Sequence, residues 1–243
     1  MATVLEARGL SVRYPGADAP VLDGFDLSVA DGEFVALVGG SGVGKSTLLR
    51  VLAGLLAPER GEVRLDTAVA PDRRRRAIVF QDGRLMPWRT LRENVAYGLE
   101  GLTVEAAARR GRVDEVLRLT QLGELADRWP HQLSGGQVQR GGIARALAVD
   151  PDILLMDEPF SAVDAMTRET LQDELLRIWQ ASGKAVVFVT HDIGEAVILS
   201  DRVVVLAGAP ARIAVDRRVD LPRPRRRGSA EVIALADEIG RAL

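Results

Sequence analysis

Short apolar runs alternate with longer stretches of helical periodicity along most of the chain. Four runs have the pattern expected for parallel strands covered on both faces. Residues 34–38, 77–80 and 153–156 are continuously apolar, and residues 186–190 are apolar up to the final Thr190. Three longer stretches carry apolar residues at helical spacing: residues 47–56, 91–149 and 166–180. Buried strands separated by helices are typical of α/β proteins with a central, mainly parallel sheet.

The N-terminal part has a different pattern. Residues 3–8 and 10–14 are short β-branched runs, and residues 25–29 and 61–66 alternate apolar and polar positions, as half-buried antiparallel strands do. A further strand is expected at 203–206, and the tail from 219 is arginine-rich and then helical. We predict one domain in which an antiparallel β layer and core (1–82 and 150–215) surround an inserted helical subdomain (83–149), followed by a tail (216–243).

Composition excludes some classes of function. A hydrophobic content of 47% with 27% charged residues fits a soluble protein with a sizeable core, and a net charge of −2 does not favour nucleic acid as a partner. The absence of cysteine excludes disulfides and thiolate metal sites. Because no apolar run approaches the roughly 18 residues of a membrane span, we expect any work at a membrane to need spans from another chain.

A glycine-rich loop follows the apolar run at 34–38. GGSGVGKS fits the pattern G-x-x-x-x-G-K-[ST], in which backbone N–H groups and a helix N-terminus surround phosphate oxygens. Lys45 would reach the β- and γ-phosphates and Ser46 would bind Mg²⁺, and the 32 basic residues of the chain include only two lysines, Lys45 and Lys184. The candidate phosphate-binding residues are Gly39, Gly40, Ser41, Gly42, Val43, Gly44, Lys45, Ser46 and Thr47. The sequence therefore predicts a nucleoside triphosphate site.

Polar side chains follow three other buried runs, where α/β sheets bind ligands. Asp157 would hold Mg²⁺, and Glu158 beside it would polarise the water that attacks the γ-phosphate, the alternative being a solvated strand end. His191 would hydrogen-bond a γ-phosphate oxygen, unless it is structural. Gln81 would coordinate Mg²⁺ or orient water.

A second glycine-rich loop, LSGGQ at Leu133–Gln137, lies within the helical stretch. These motifs in this order resemble the nucleotide-binding subunit of ATP-binding cassette transporters, over residues 5–206. LSGGQ is the most specific of them, and it is followed by Gln139-Arg140 and by IARAL at 143–147. Val138 and the pair Gly141-Gly142 depart from the common family pattern.

The resemblance implies a P-loop ATPase that binds ATP and Mg²⁺ and dimerises head to tail with a second copy of itself. Each ATP would lie between Lys45 of one copy and the second loop of the other, at Ser134, Gly135, Gly136 and Gln137. Glu158 resembles the catalytic base, His191 the switch histidine and Gln81 the sensor glutamine. Tyr14 resembles the aromatic that stacks on adenine, its alternative being a surface tyrosine in a turn, and Asp164 resembles the carboxylate of the loop 161–164 that links the two sites.

Residues 82–89, with Pro87-Trp88, resemble the nitrate, sulfonate and taurine importer branch. Leu85, Met86 and Trp88 would receive a helix of the permease or pack beneath the helical subdomain. This implies a peripheral subunit at the cytoplasmic face of the inner membrane, bound to membrane permease subunits and, indirectly, to a periplasmic substrate-binding protein. The alternatives are the ATPase of an exporter, a soluble ABC-type ATPase outside transport and a P-loop kinase.

Two arginine runs, at 73–76 and 225–227, are expected to be solvated, the alternative being contact with anionic lipid.

Overall fold

The computed structural model describes residues 2–66, 70–161 and 163–241. Its strands are β1 (Thr3–Val12), β2 (Leu22–Ala30), β3 (Phe34–Gly39), β4 (Arg60–Leu65), β5 (Arg76–Val79), β6 (Ile153–Asp157), β7 (Ala185–Thr190), β8 (Arg202–Ala207) and β9 (Arg212–Arg218). Its α-helices are α1 (Lys45–Leu52), α2 (Leu91–Tyr97), α3 (Ala106–Leu119), α4 (Gly135–Ala148), α5 (Ala165–Ser182), α6 (Ile193–Leu199) and α7 (Ala230–Gly240). The chain divides into two compact units, Met1–Asp66 with Ala185–Leu243 and Thr67–Lys184.

An antiparallel sheet of order β2-β1-β4 forms one layer of the first unit. Apolar and polar residues alternate along β2, so that Phe25, Leu27 and Val29 are buried, as predicted. The separation of residues 3–8 from 10–14 was wrong, because β1 continues through Gly9, whose φ of +57° accompanies a shift in pairing register rather than an end to the strand.

The same unit contains β7, β3 and β8 as parallel neighbours, with β9 antiparallel to β8. All six residues of β3 and of β7 are buried, and Phe34 packs edge-on against Phe188 with ring centroids 5.4 Å apart. The α/β class with a mainly parallel sheet, an antiparallel layer and added helices is confirmed. The short elements α6 and β9 were not predicted.

Helix α1 ends four residues before the predicted position because of Gly54. This glycine has φ +72°, its N–H donates to Val51 O, and the N–H of Leu55 donates to Arg50 O, each at 2.9 Å. These two bonds form a Schellman motif, in which a left-handed glycine satisfies the last carbonyls and stops the helix.

The second unit pairs β5 with β6 in parallel and packs α4 against α2, α3 and α5. Asn94 of α2 is fully buried and fixes the segment before the helix: its Oδ1 accepts from Met86 N at 2.6 Å, and its Nδ2 donates to Met86 O and Arg89 O. Between those anchors, 70% of Trp88 is exposed. Among the residues that the structure describes, no helix is long and apolar enough to cross a bilayer.

The expectation that both arginine runs are solvated is confirmed for Arg74, Arg226 and Arg227 but was wrong for Arg225. In the first run, Arg73 pairs with Asp152, and only Arg74 of the four is exposed. In the second, Arg226 and Arg227 are exposed but Arg225 is buried, because backbone carbonyls surround its guanidinium.

Candidate nucleotide site

The first glycine loop connects β3 directly to α1. Lys45 begins the helix, is buried, and its Nζ donates to the carbonyls of Gly39 and Gly40 at 2.8 and 2.9 Å. Gly44 precedes the helix with φ +113°, a backbone conformation that residues with a Cβ rarely adopt. The loop therefore wraps around the ammonium group at a helix N-terminus, where backbone N–H groups favour anions.

The glycines of this loop have two different surroundings. A Cβ at Gly39 would lie 2.6 Å from Leu206 O, and one at Gly44 would lie 2.7 Å from Val21 Cγ1. At Gly40 and Gly42 a Cβ would meet no atom within 4 Å, and both residues are exposed. The ends of the loop are thus held against the protein while its middle is accessible to a phosphate chain.

Tyr14 is joined to this loop by a hydrogen bond. Its Oη lies 3.0 Å from Oγ1 of Thr47, in the first turn of α1, and 36% of the residue is exposed. The ring is therefore available next to the candidate phosphate-binding helix, as an adenine-stacking residue needs to be.

His191 emerges at the same edge as the glycine loop, because β3 and β7 pair Val38 with Thr190. The buried Thr190 Oγ1 donates to Oε2 of the nearly buried Glu195 at 2.7 Å and accepts from Asp192 N at 3.0 Å. Asp192 Oδ1 in turn accepts from Glu195 N at 3.0 Å, which caps α6. The residues on both sides of His191 are therefore held in one closed network.

Sequence reasoning missed this network. The signal was present in Asp192-Ile-Gly-Glu195, since a capping residue followed three positions later by glutamate marks a helix start.

In the second unit, Gln81, Asp157 and Glu158 follow the same edge of the β5-β6 pair, because the register aligns Val79 with Met156. Glu158 has φ +43°, a region that is uncommon for residues other than glycine and that clusters at functional sites. Its carbonyl accepts from both N and Oγ of Ser161, at 3.2 and 2.8 Å. A tight turn therefore presents the candidate base.

The LSGGQ segment, Leu133–Gln137, forms the start of α4. Ser134 is the N-cap: its Oγ accepts from Gln137 N at 3.3 Å, and Gln137 Oε1 accepts from Ser134 N at 2.9 Å, which completes a capping box. Ser134 and Gly135 are exposed, whereas Gly136 is buried and a Cβ there would lie 3.3 Å from Thr167 Cγ2. The side chain of Gln137 thus helps to cap the helix. The helix N-terminus at Gly135 is accessible to an anion.

Asp164 caps α5 in the same way. Its Oδ1 accepts from Thr167 N at 3.0 Å, and hydrogen bonds from the hydroxyl and N–H of Thr167 hold the pKa of Asp164 below its ordinary value. Ala162, in the predicted linking loop, lies outside the described residues. Asp164 is therefore an exposed, ionised carboxylate at a helix start, which is compatible with the predicted role.

The donor set suits magnesium better than a transition metal. The candidate ligands are the hydroxyl of Ser46, the amide of Gln81 and the carboxylate of Asp157, all of them oxygen donors, which Mg²⁺ prefers. Within 2–66, 70–161 and 163–241, no group of three or more His, Cys, Asp or Glu residues could by itself hold a metal ion.

Comparison with known proteins gives concordant matches. A family model for the ABC transporter matches residues 22–161. The aliphatic sulfonates import ATP-binding protein SsuB of Granulibacter bethesdensis is 48% identical, over 90% of this chain and 86% of its own length. The taurine import ATP-binding protein TauB of Pseudomonas entomophila is 46% identical, over 89% of this chain and 84% of its own length.

Among solved structures, the post-hydrolysis dimer of the ATP-binding cassette MJ0796 bound to ADP and Pi has a TM-score of 0.74. Its sequence is 32% identical, and the match covers 90% of this chain and 100% of the cassette. Since the family model spans more than half of the sequence and these relatives match most of it, the chain belongs to the ABC transporter family and is one of its ATP-hydrolysing cassettes.

Proposed function

We propose that this protein is the ATP-hydrolysing subunit of an ABC importer for a sulfonate, taurine, nitrate or a similarly small solute. The observation that carries the proposal is the presence of two separate anion-binding features, the Lys45 loop and the exposed start of α4 at Ser134. One nucleotide needs only one such loop in each chain, so the second serves the nucleotide of another copy. The names of the relatives in sulfonate and taurine import support the solute class.

The reaction is hydrolysis of the terminal phosphoanhydride bond. The carboxylate of Glu158 accepts a proton from water as the water oxygen bonds to the γ-phosphorus and the bond to the β,γ-bridging oxygen breaks, giving ADP and inorganic phosphate. Lys45 and the loop N–H groups stabilise the negative charge on the phosphate oxygens, and His191 donates a hydrogen bond to the γ-phosphate. Ser46, Asp157 and Gln81 would hold Mg²⁺, and the bound cation would neutralise further charge on the phosphate oxygens.

Head-to-tail dimerisation completes each site. Ser134 and the N–H groups of Gly135 and Gly136 bind the γ-phosphate held by the other copy's Lys45, and Asp164 belongs to the loop that links the two sites. ATP stabilises the closed dimer because it contacts both subunits, and hydrolysis removes that stabilisation. The dimeric state of the related cassette with ADP and Pi supports this arrangement.

The permease binds near Pro87-Trp88. Asn94 holds the backbone on both sides of this turn while Trp88 remains largely exposed, and exposed aromatic side chains are favoured anchors at protein interfaces. The subunit would thereby reside at the cytoplasmic face of the inner membrane, and a periplasmic substrate-binding protein would act through the permease. Trp88→Ala should weaken co-purification with the membrane subunit, whereas the exposed Trp129→Ala should not.

Mixing two inactive variants tests the composite site. Lys45→Ala disables one loop and Ser134→Arg disables the other, so each homodimer lacks activity and only the heterodimer contains one intact site. We expect the mixture to recover ATPase activity up to about a quarter of the wild-type rate, since half of randomly paired dimers are mixed and each has one of two sites. No recovery under conditions where heterodimers form would overturn the proposal of sites shared between subunits.

Exporter ATPases and soluble ABC-type ATPases share the same site chemistry. Stable co-purification with a permease and stimulation of ATPase activity by a solute-loaded binding protein would favour import over both alternatives.

A further inference from the structure

The turn that follows Gln81 has a sharply defined backbone. Gly83 and Arg84 are consecutive left-handed residues, with φ of +65° and +43°. The N–H of Gly83 donates to Phe80 O at 3.0 Å, and the guanidinium of Arg84 lies 3.9 Å from the centroid of the Phe80 ring. Because a left-handed backbone is uncommon for a residue with a Cβ such as Arg84, contacts from outside the turn would stabilise this shape.

Helix α4, which begins at the LSGGQ segment, provides those contacts by direct backbone packing. A Cβ on Gly142 would lie 2.9 Å from Gly83 O and 3.0 Å from Gly83 Cα, and a Cβ on Gly83 would lie 2.8 Å from Val138 O. Any side chain at 83 or 142 would separate the two backbones. The Gly142 departure from the family pattern thus coincides with an unusually close approach.

Polar contacts extend the same attachment. Arg145 Nη1 donates to Arg84 O and its Nη2 donates to Gly83 O, both at 2.7 Å. The buried Gln139 donates from Nε2 to Phe80 O at 3.3 Å. Three carbonyls of the turn, at residues 80, 83 and 84, are therefore bonded to side chains of α4.

We infer that Gly142 and Arg145 are positioning residues that bind the turn carrying Gln81 to α4, so that the Gln81 amide and the LSGGQ segment move as one body. Arg145 lies roughly 15 Å along the helix axis from Gly135, and an uninterrupted helix transmits displacement over that distance. The roles of Gln81 and LSGGQ in this inference rest on the proposed function.

The attachment itself can be measured without nucleotide. Hydrogen–deuterium exchange of peptides covering residues 80–90 in the full chain should speed up by about tenfold in Arg145→Met, because two hydrogen bonds from a charged donor are lost. Gly142→Ala should have a similar effect. Gly111→Ala in α3 is the matched control, since a Cβ there meets no atom within 4 Å, and its exchange at 80–90 should equal that of wild type.

Loss of the attachment should affect the Mg²⁺ requirement of the ATPase more than its KM for ATP. In Arg145→Met the Mg²⁺ concentration for half-maximal ATPase activity should rise about fivefold or more while KM for ATP stays within about twofold, because the turn acts on the cation and water rather than on adenine. Arg145→Lys, which keeps the charge and some of the donors, should restore part of the loss. If Gly142→Ala does not fold, the two Arg145 variants carry the test.

Unchanged exchange at 80–90 in both Arg145→Met and Gly142→Ala would overturn the attachment. An equal rise in KM for ATP and in the Mg²⁺ requirement would overturn the positioning role, since general destabilisation has that effect. Absence of ATPase activity in the wild-type protein would instead contradict the proposed function, and the exchange experiment would still decide whether the turn is bound to α4.

Discussion

The hydroxyl of Thr190 donates a hydrogen bond of 2.7 Å to Oε2 of Glu195. Only 2% of Thr190 and 9% of Glu195 are exposed, so the bond lies where water competes little and its loss is costly. It joins the last residue of β7 to the first turn of α6, and His191 lies between those two points.

Thr190→Val should therefore lower both stability and turnover. The nearly isosteric valine removes the donor to Glu195 and the acceptor for Asp192 N. This should lower the free energy of unfolding by about 1–3 kcal/mol. We expect kcat to fall severalfold while ATP affinity is retained, as measured by steady-state kinetics and nucleotide titration. Thr170→Val, at an exposed position of α5, is the control; equal effects from both variants would contradict a specific role for the network.

Glu158→Gln should abolish turnover and leave a stable ATP-bound dimer. The amide preserves the size and backbone preference of the residue at φ +43° but cannot accept a proton from water. Light scattering with ATP should give twice the monomer mass, and Glu115→Gln, an exposed residue of α3 with the same change of charge, should keep normal hydrolysis. A Glu158→Gln protein that remains monomeric with ATP would count against dimer closure by nucleotide.

The salt bridge between Lys184 and Asp150 should contribute stability that depends on pH. Nζ lies 2.6 Å from Oδ1. Partial burial would raise the pKa of Asp150, but the hydrogen bond and charge of Lys184, with the charges of Arg73 and Arg112, outweigh it and lower the pKa below its ordinary value of 3.8. The carboxylate therefore stabilises the fold above about pH 4, and this stabilisation is lost as pH falls through the lowered pKa.

Lys184→Met should accordingly reduce the free energy of unfolding by about 0.5–1 kcal/mol at pH 7, a small value because the pair is partly exposed and screened. The difference from wild type should shrink below pH 4 in urea titrations. Arg118→Met, an exposed change of the same charge, is the control. If Lys184→Met and wild type differ in stability by the same amount at pH 7 and below pH 4, packing rather than charge is responsible.

Arg225 should be essential for the stability of the C-terminal segment. Its guanidinium donates to Val197 O and Ser200 O, both at 2.6 Å, and to Val219 O and Leu221 O, both at 3.0 Å. Burial lowers the pKa of Arg225 to about 10, and the charge of Arg223 adds to this. The group thus stays protonated at neutral pH and should add no pH dependence between about pH 6 and 8.

Arg225→Met should lower the free energy of unfolding by about 2–4 kcal/mol, because several buried carbonyls lose their donor. The adjacent and exposed Arg226→Met should change it by less than about 0.5 kcal/mol. Thermal unfolding of both variants at pH 6 and pH 8 tests the prediction, and equal midpoints for the two variants would contradict it.

The sequence was most informative where function imposes a local pattern. The candidate phosphate-binding loop could be located because a continuously buried strand precedes it and a helix follows. The capping box of α4 and the D-x-x-E start of α6 were equally local, and the sequence alone could have predicted both. By contrast, the surroundings of Arg225 and the close approach of Gly142 to Gly83 join residues distant in sequence, and no local pattern specifies which carbonyl or backbone atom a side chain will meet.

In the proposed dimer, residue 134 has to satisfy two requirements at once. A hydroxyl has acceptor lone pairs, one of which takes the N–H of Gln137, and it also has a proton to give to a phosphate oxygen. Aspartate would cap the helix as well as serine does but would repel the phosphate, whereas alanine would remove both contacts. Helix capping and the proposed recognition of nucleotide therefore both favour serine at this position, so Ser134→Asp should leave the fold intact while weakening nucleotide binding.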